Sequence, residues 1–149
     1  KGWTLDYAKE MSDYVSAMAK EVGLDYQMDQ VKVANTFDAH RLIQLAKQKN
    51  KGDEMEEALF KAYFTEGKNL ADPEVLKAIA SGIGIETEET EAMLNSKAFA
   101  KEVLEDLKAA EEMGVTGVPF FVFNRKFAVS GAQSPETFLN ALKKAWENE

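Results

Sequence analysis

Apolar residues return every three or four positions along most of this chain, and the pattern changes only toward its C-terminal end. Leu5, Ala8, Met11, Val15, Met18, Ala19 and Val22 form a first stripe, with Thr4 placed to cap it and Gly23 to stop it. This predicts a helix over residues 5–22 whose stripe packs in a core, a reading preferred to an adaptable methionine surface for peptides. Residues 24–33 show no clear period. A second helix is predicted over 37–49, capped by Asn35 or Thr36. A third follows Asp53 as its cap, with Met55, Leu59, Phe60, Tyr63 and Phe64 on a wide aromatic face and Gly67 closing it. Asp72-Pro73-Glu74 combines a cap, a proline at the first helical position and an acid in the first turn. It starts a helix carrying Val75, Leu76, Ile79 and Ala80, for which Ser81-Gly82 is the expected stop. A short acidic helix over 87–94 comes next. Ser96 is then expected to cap a long helix that buries Phe99, Val103, Leu104, Leu107, Ala110 and Met113.

At Gly114 the period breaks. Gly114-Val115-Thr116-Gly117-Val118-Pro119 leads into Phe120-Phe121-Val122-Phe123, an unbroken apolar run of aromatic and β-branched residues. Such a run predicts a strand buried on both faces and paired at both edges. Pro119 opens it, where a missing N–H does least harm to a ladder. Asn124-Arg125-Lys126 reads as a turn, Phe127-Ala128-Val129 as a second strand, and Ser134-Pro135 as the start of a helix over 135–146 that buries Phe138, Leu139, Leu142 and Trp146. The chain offers the first strand one companion, and an isolated hairpin is marginal in water. Further strands are therefore expected from an N-terminal piece, a second copy or a neighbour.

With 149 residues, 45% of them hydrophobic, the chain is long enough for one domain, or one domain with an insertion, and can build a core. A formal charge of −8 argues against a nucleic-acid partner or an anionic membrane surface, both of which need clustered Lys and Arg. No apolar run approaches a membrane span, and no signal peptide is visible. The absence of cysteine excludes disulfides, thiolate nucleophiles and cysteine-based metal sites within these residues. His40 is the one histidine, so no second nitrogen or sulfur ligand exists to complete a metal site, and no serine sits in a nucleophile motif. A structural histidine, hydrogen-bonded near its helix start, is the expected role. Glu86, Glu88, Glu89 and Glu91 lack the alternating positions and turn glycine of a calcium loop and read as a solvated face. Gly82-Ile83-Gly84 lacks the third glycine of a dinucleotide fingerprint.

Three segments in order carry a resemblance: Asn35-Thr36-Phe37-Asp38-Ala39-His40-Arg41, the Gly-Val-Pro strand entry, and Ser130-Gly131-Ala132-Gln133-Ser134-Pro135-Glu136. Together they resemble the DsbA family, specifically its FrnE-like branch, along essentially the whole chain. The resemblance implies an α/β thioredoxin-like (DsbA-like) fold with a large helical insertion: a helical domain over residues 1–113, including the long connecting helix, and the C-terminal half of the thioredoxin-like domain over 114–149. It implies a cis Val118–Pro119 bond, with Thr116, Val118 and Pro119 binding an extended substrate backbone, and a thiol or disulfide protein or peptide as partner. Asn35, His40, Arg41, Gly131, Ala132 and Gln133 are implied as residues that brace the site. Members of that family begin with a strand–helix–strand unit bearing C-x-x-C, and nothing like it is present. The expected protein is therefore a thiol–disulfide oxidoreductase whose Cys-free chain here, starting at Lys1, is a redox-inert fragment without catalytic residues of its own. A homo-oligomer or association with the absent N-terminal segment is expected, as are cytoplasmic residence and no cofactor or metal. The alternatives are a non-catalytic peptide-binding module on the same scaffold, or a serine- and glutathione-using relative of kappa-class transferases and chromene-carboxylate isomerases.

Overall fold

The computed structural model describes residues 4–147, which form seven helices and one hairpin. They divide into two compact units at Leu104/Glu105, inside α6 and earlier in the chain than the change of pattern at Gly114.

The first unit holds α1 (Leu5–Glu21), α2 (Phe37–Gln48), α3 (Gly52–Phe60), α4 (Pro73–Gly82), α5 (Thr87–Leu94) and the start of α6 (Ala100–Glu112). Its core is where α2 to α5 meet. Ala39, Leu42, Leu45 and Ala46 recur at helical spacing on α2 and pack with Met55 and Leu59 of α3, Leu76, Ile79 and Ala80 of α4, Ile85, and Met93 of α5. Leu42, Met55, Leu76 and Ile85 are sealed from water, each such side chain contributing roughly 1.5–3 kcal/mol through burial. Thr90, also sealed, satisfies its hydroxyl by donating to the Glu86 carbonyl at 3.3 Å.

Several helix boundaries differ from the pattern-based reading, each for a local reason. Asp53 is not the cap of α3. The helix starts at Gly52, Lys51 holds the cap position, and Asp53 lies in the first turn. Lys51 instead sends its ammonium to the carbonyls of Ile83 and Gly84, at 2.7 and 3.0 Å, beyond the C-terminus of α4. α4 does end at Gly82, as expected, with Ile83 at the cap position. Gly84 has φ +75°, its N–H donates to Ser81 O, and the Ile85 N–H donates to Ala80 O, the paired closure of a Schellman ending. Ser96 does not cap α6. Its hydroxyl donates to Met93 O and accepts from the Ala98 N–H, closing the turn after α5, while α6 begins four residues after Ser96, at Ala100. α3 runs on into a π-helical turn, Lys61–Thr65, that the apolar period did not reveal.

The aperiodic segment after α1 is tied to that turn. The Gln27 N–H donates to Phe64 O at 2.7 Å, and the Tyr26 ring stacks on Phe64 at 4.8 Å. Gly67, with φ +59°, lets the backbone at Gln30 pass close by. A Cβ there would lie 2.8 Å from Gln30 Cβ and 2.9 Å from Gln30 O.

The stripe of α1 is not core within this chain. Ala19 is buried, but Leu5 is 90% and Val22 74% exposed, and Val15 and Met18 also face solvent. Amphipathicity shows which face a helix would bury, not that a partner element lies within the same chain.

The second unit holds the end of α6, β1 (Phe120–Phe123), β2 (Phe127–Ser130) and α7 (Pro135–Glu147). The strands are antiparallel, with Phe121 opposite Val129 and Phe123 opposite Phe127. Asn124 and Arg125 both have φ > 0, as the favoured tight hairpin turns require, and Asn124 Nδ2 donates to Ala145 O at 3.0 Å, pinning the turn to α7. α7 covers the hairpin face bearing Phe121 and Val129, with Phe121 and Phe138 in edge-to-face contact at 4.8 Å. The expectation of a strand buried on both faces is not met. Phe121 is 40% and Val122 37% exposed, and β2 is the one strand paired with β1 among the described residues. One helix can cover one face and one neighbour one edge. The facing line of α7 is also rotated from the predicted one. Ala145 is buried and Phe138 and Ala141 half-buried, whereas Leu139, Leu142 and Trp146 lie on the adjoining exposed surface. On α6, Val103 is buried and Phe99 packs on the core, but Leu104, Leu107 and Met113 are exposed.

Two glycines give opposite expectations. Gly67→Ala must hold a left-handed backbone and displace Gln30, so the urea midpoint should fall by the equivalent of at least about 2 kcal/mol. Gly82→Ala adds a methyl to a helical position with nothing within 4 Å and should stabilise by about 0.5–1 kcal/mol. Circular dichroism during urea unfolding measures both, and equal shifts for the two would refute the geometry.

Candidate functional site

The C-terminal end of α6 closes with the Gly114 N–H on Glu111 O and the Val115 N–H on Ala110 O, releasing an extended loop toward β1. Thr116, Val118 and Pro119 lie on this loop and are all exposed, Val118 at 89%. The Val118–Pro119 peptide bond is cis. Pro119 O accepts from the Gly131 N–H at 2.8 Å, which lays the Ser130–Gln133 loop beside the proline. Gln133 folds back to donate from Nε2 to Ser130 O at 3.0 Å. Thus Val118, Pro119, Gly131, Ala132 and Gln133 share one end of the hairpin. Among the described residues no hydrogen bond engages the backbone N–H or C=O of Val118. Such a residue can offer both groups to an extended chain, as in strand addition.

Asn35, His40 and Arg41 lie in the first unit. Asn35 Oδ1 accepts from the Phe37 N–H at 2.9 Å, so Asn35 supplies the side-chain bond at the entry to α2, while Thr36 occupies the cap position without one. His40 is exposed and its imidazole makes no hydrogen bond among the described residues, contrary to the structural histidine expected from sequence. The fourth position of the helix is late for a cap, and among the described residues no polar group reaches the ring.

Arg41 is the reverse case, only 4% exposed. Its Nη1 donates to Asp38 Oδ1 at 2.8 Å, its Nε to Ala98 O at 2.8 Å, and its Nη2 to the carbonyls of Met93 and Ser96. A planar fork of donors suits this cluster of acceptors, and the charge is neutralised by a half-exposed carboxylate one turn away. The signal for it in the sequence was weak: an arginine three residues after an aspartate on an otherwise apolar stripe.

The shifted ionisable groups are surface pairs. Glu66 is held below the usual carboxylate range chiefly by the hydrogen bond from Lys68, at 2.6 Å, and Lys77 is raised chiefly by its bond to Glu74. Among the described residues no cluster of three His, Asp or Glu side chains could hold a metal ion, and no helix is long and apolar enough to cross a membrane.

A proline loop entering an antiparallel hairpin, a helix packed on that hairpin and a preceding helical unit are the elements of a DsbA-like thioredoxin fold. The chain belongs to the DSBA-like thioredoxin domain family, whose model matches residues 6–143. It is similar to a probable DsbA oxidoreductase of Streptomyces coelicolor, with a TM-score of 0.92 and 37% identity over 99% of this chain and 64% of that one. It is 27% identical to the protein YwbO of Bacillus subtilis over 86% of this chain and 64% of that protein. It is also 34% identical to the thiol:disulfide interchange protein DsbA of Pseudomonas aeruginosa, over 62% of this chain and 44% of that protein. The chain therefore spans less than two thirds of the length of each of these relatives.

Replacing Arg41 by Met leaves three carbonyls without their donor and should cost about 3 kcal/mol in urea unfolding. Arg41→Lys should recover less than half, because one ammonium cannot span the fork. A loss below about 1 kcal/mol for Arg41→Met would show that water replaces the guanidinium freely.

Proposed function

We propose that these residues supply the substrate-binding platform of a FrnE-like thiol–disulfide oxidoreductase whose redox cysteines lie outside this chain. The observation that carries the reading is the exposed Val118–Pro119 loop, with the free backbone of Val118 beside the Gly131–Gln133 loop, in a chain that has no cysteine. An extended thiol or disulfide peptide pairs with Val118, contacts Thr116 and Pro119, and is held against Gly131, Ala132 and Gln133. Exchange needs a thiolate to attack a sulfur and a second sulfur to leave. None is available here, so this chain alone is redox-inert.

The exposed apolar surfaces of α1, α6 and β1 support association, with a second copy or with a cysteine-bearing segment. Cytoplasmic residence belongs to the same FrnE-like reading. The lack of cysteine equally favours a second reading, a peptide-binding module without catalysis on this scaffold.

The test is insulin reduction and dithiol oxidation by the 149-residue chain, beside a longer protein that adds a C-x-x-C unit. The chain should show no rate above background, and the longer protein should turn over. Turnover by the chain itself refutes redox inertness. A longer parent sequence with neither cysteine nor serine at the active position would favour the binding module.

A further inference from the structure

The first unit contains a concavity that the redox reading does not use. A cavity of about 280 Å³ opens between the start of α2 and the end of α3, with an almost entirely apolar lining. Ile43 and Leu59 contribute to its floor, and Tyr63 and Phe64 to an aromatic wall. That wall stands on the π-helical turn, a local widening of the helix often found at functional sites. It is also fixed in place. Phe64 is stacked by Tyr26, meets Tyr63 edge-on at 4.9 Å, and is tied through its carbonyl to the Gln27 N–H. The polar lining comes from α2. Thr36 and His40, one turn apart, both border the cavity, and among the described residues neither side chain has a hydrogen-bond partner.

An apolar, rigid hollow with two unpartnered polar groups on one side has the make-up of a small-molecule site. The hollow, about 280 Å³ and open to solvent on one side, lies near the lower end of the roughly 300–1,000 Å³ of small-molecule pockets. We infer that this cavity binds a free bicyclic aromatic molecule carrying one hydroxyl-type group, its rings against Tyr63 and Phe64 and its polar end at Thr36 and His40. The fixed wall means that little ordering is lost on binding. The inference is independent of the redox reading, since it uses no residue of the proline loop.

The probe is 2-naphthol, titrated into the full chain and followed by methyl resonances. Saturable shifts should centre on Ile43 and Leu59, with the methyls of Leu5, Leu107 and Leu142 unmoved. Ile43→Trp, which fills the hollow, should abolish them. His40→Leu and Thr36→Val should each weaken binding by about threefold to tenfold, the loss of one hydrogen bond. Both replace side chains that hold nothing else, so they decide the matter even if Ile43→Trp fails to fold. Shifts spread over α1, α6 and α7, or an affinity unchanged in both polar variants, overturn the inference.

Discussion

The helical unit depends on one buried cation. Arg41 sits on the face of α2 that also carries the core residues Leu42 and Leu45, yet its guanidinium does not meet hydrocarbon. It meets the carbonyls left over where α5 ends and where the chain turns toward α6. Met93 O also accepts from Ser96, but the carbonyls of Ser96 and Ala98 have no other donor among the described residues and would otherwise need water. The exchange works in both directions. The carbonyls solvate a charge that would be costly to bury bare, and the charge fixes the turn between α5 and α6 in one geometry. Lys51 acts similarly at the end of α4, with its donors on Ile83 O and Gly84 O. Two cations thus close two helix C-termini, where the dipole favours positive charge.

The second unit has a different economy. Its hairpin has one helix on one face and one strand on one edge, and its buried residues are few, Val129 and Ala145 among them. Aromatic contact between Phe121 and Phe138 and the Asn124 bond to Ala145 O hold the three elements together. The same geometry leaves backbone groups available at the entry to β1, since Pro119 has its carbonyl engaged while Val118 has neither group paired. Rigidity at the proline and availability one residue earlier are what recognition of an extended chain requires.

Much of this was legible from the residues. The helices existed where the apolar period placed them, the Asp72-Pro73 start was as written, and the strand and turn at residues 120–127 followed from a run that no helix period fits. What failed was of two kinds. Cap positions slipped where two residues could each serve: Asp53 against Lys51, and Ser96 against the turn it closes. These choices differ by a fraction of the energy of a single hydrogen bond, which composition cannot resolve. Burial failed for a broader reason. A stripe on α1 or α7 encodes a preference for contact, but among the described residues it is met only at Ala8, Met11 and Ala19 on the first helix and along Phe138, Ala141 and Ala145 on the last. The proline loop was legible as a motif. The hollow beside His40 was not, because it arises from the π-turn and from a histidine that finds no partner, and neither leaves a period to read.

The apolar surface of this chain is therefore of two physical kinds. On α1, α6 and α7 it consists of convex ridges, with side chains such as Leu5 and Trp146 standing almost fully in water. Convex ridges gain little from a small molecule, which can touch only one side of them, and much from a large surface laid across several turns. At the end of α3 the surface is concave and its aromatic wall is braced from behind by Tyr26. There a ring can be contacted on more than one side, so burial per atom exceeds that on a convex ridge even for a small guest. Shape rather than hydrophobicity separates the two: the ridges suit a large surface laid across them, and the hollow suits a small guest.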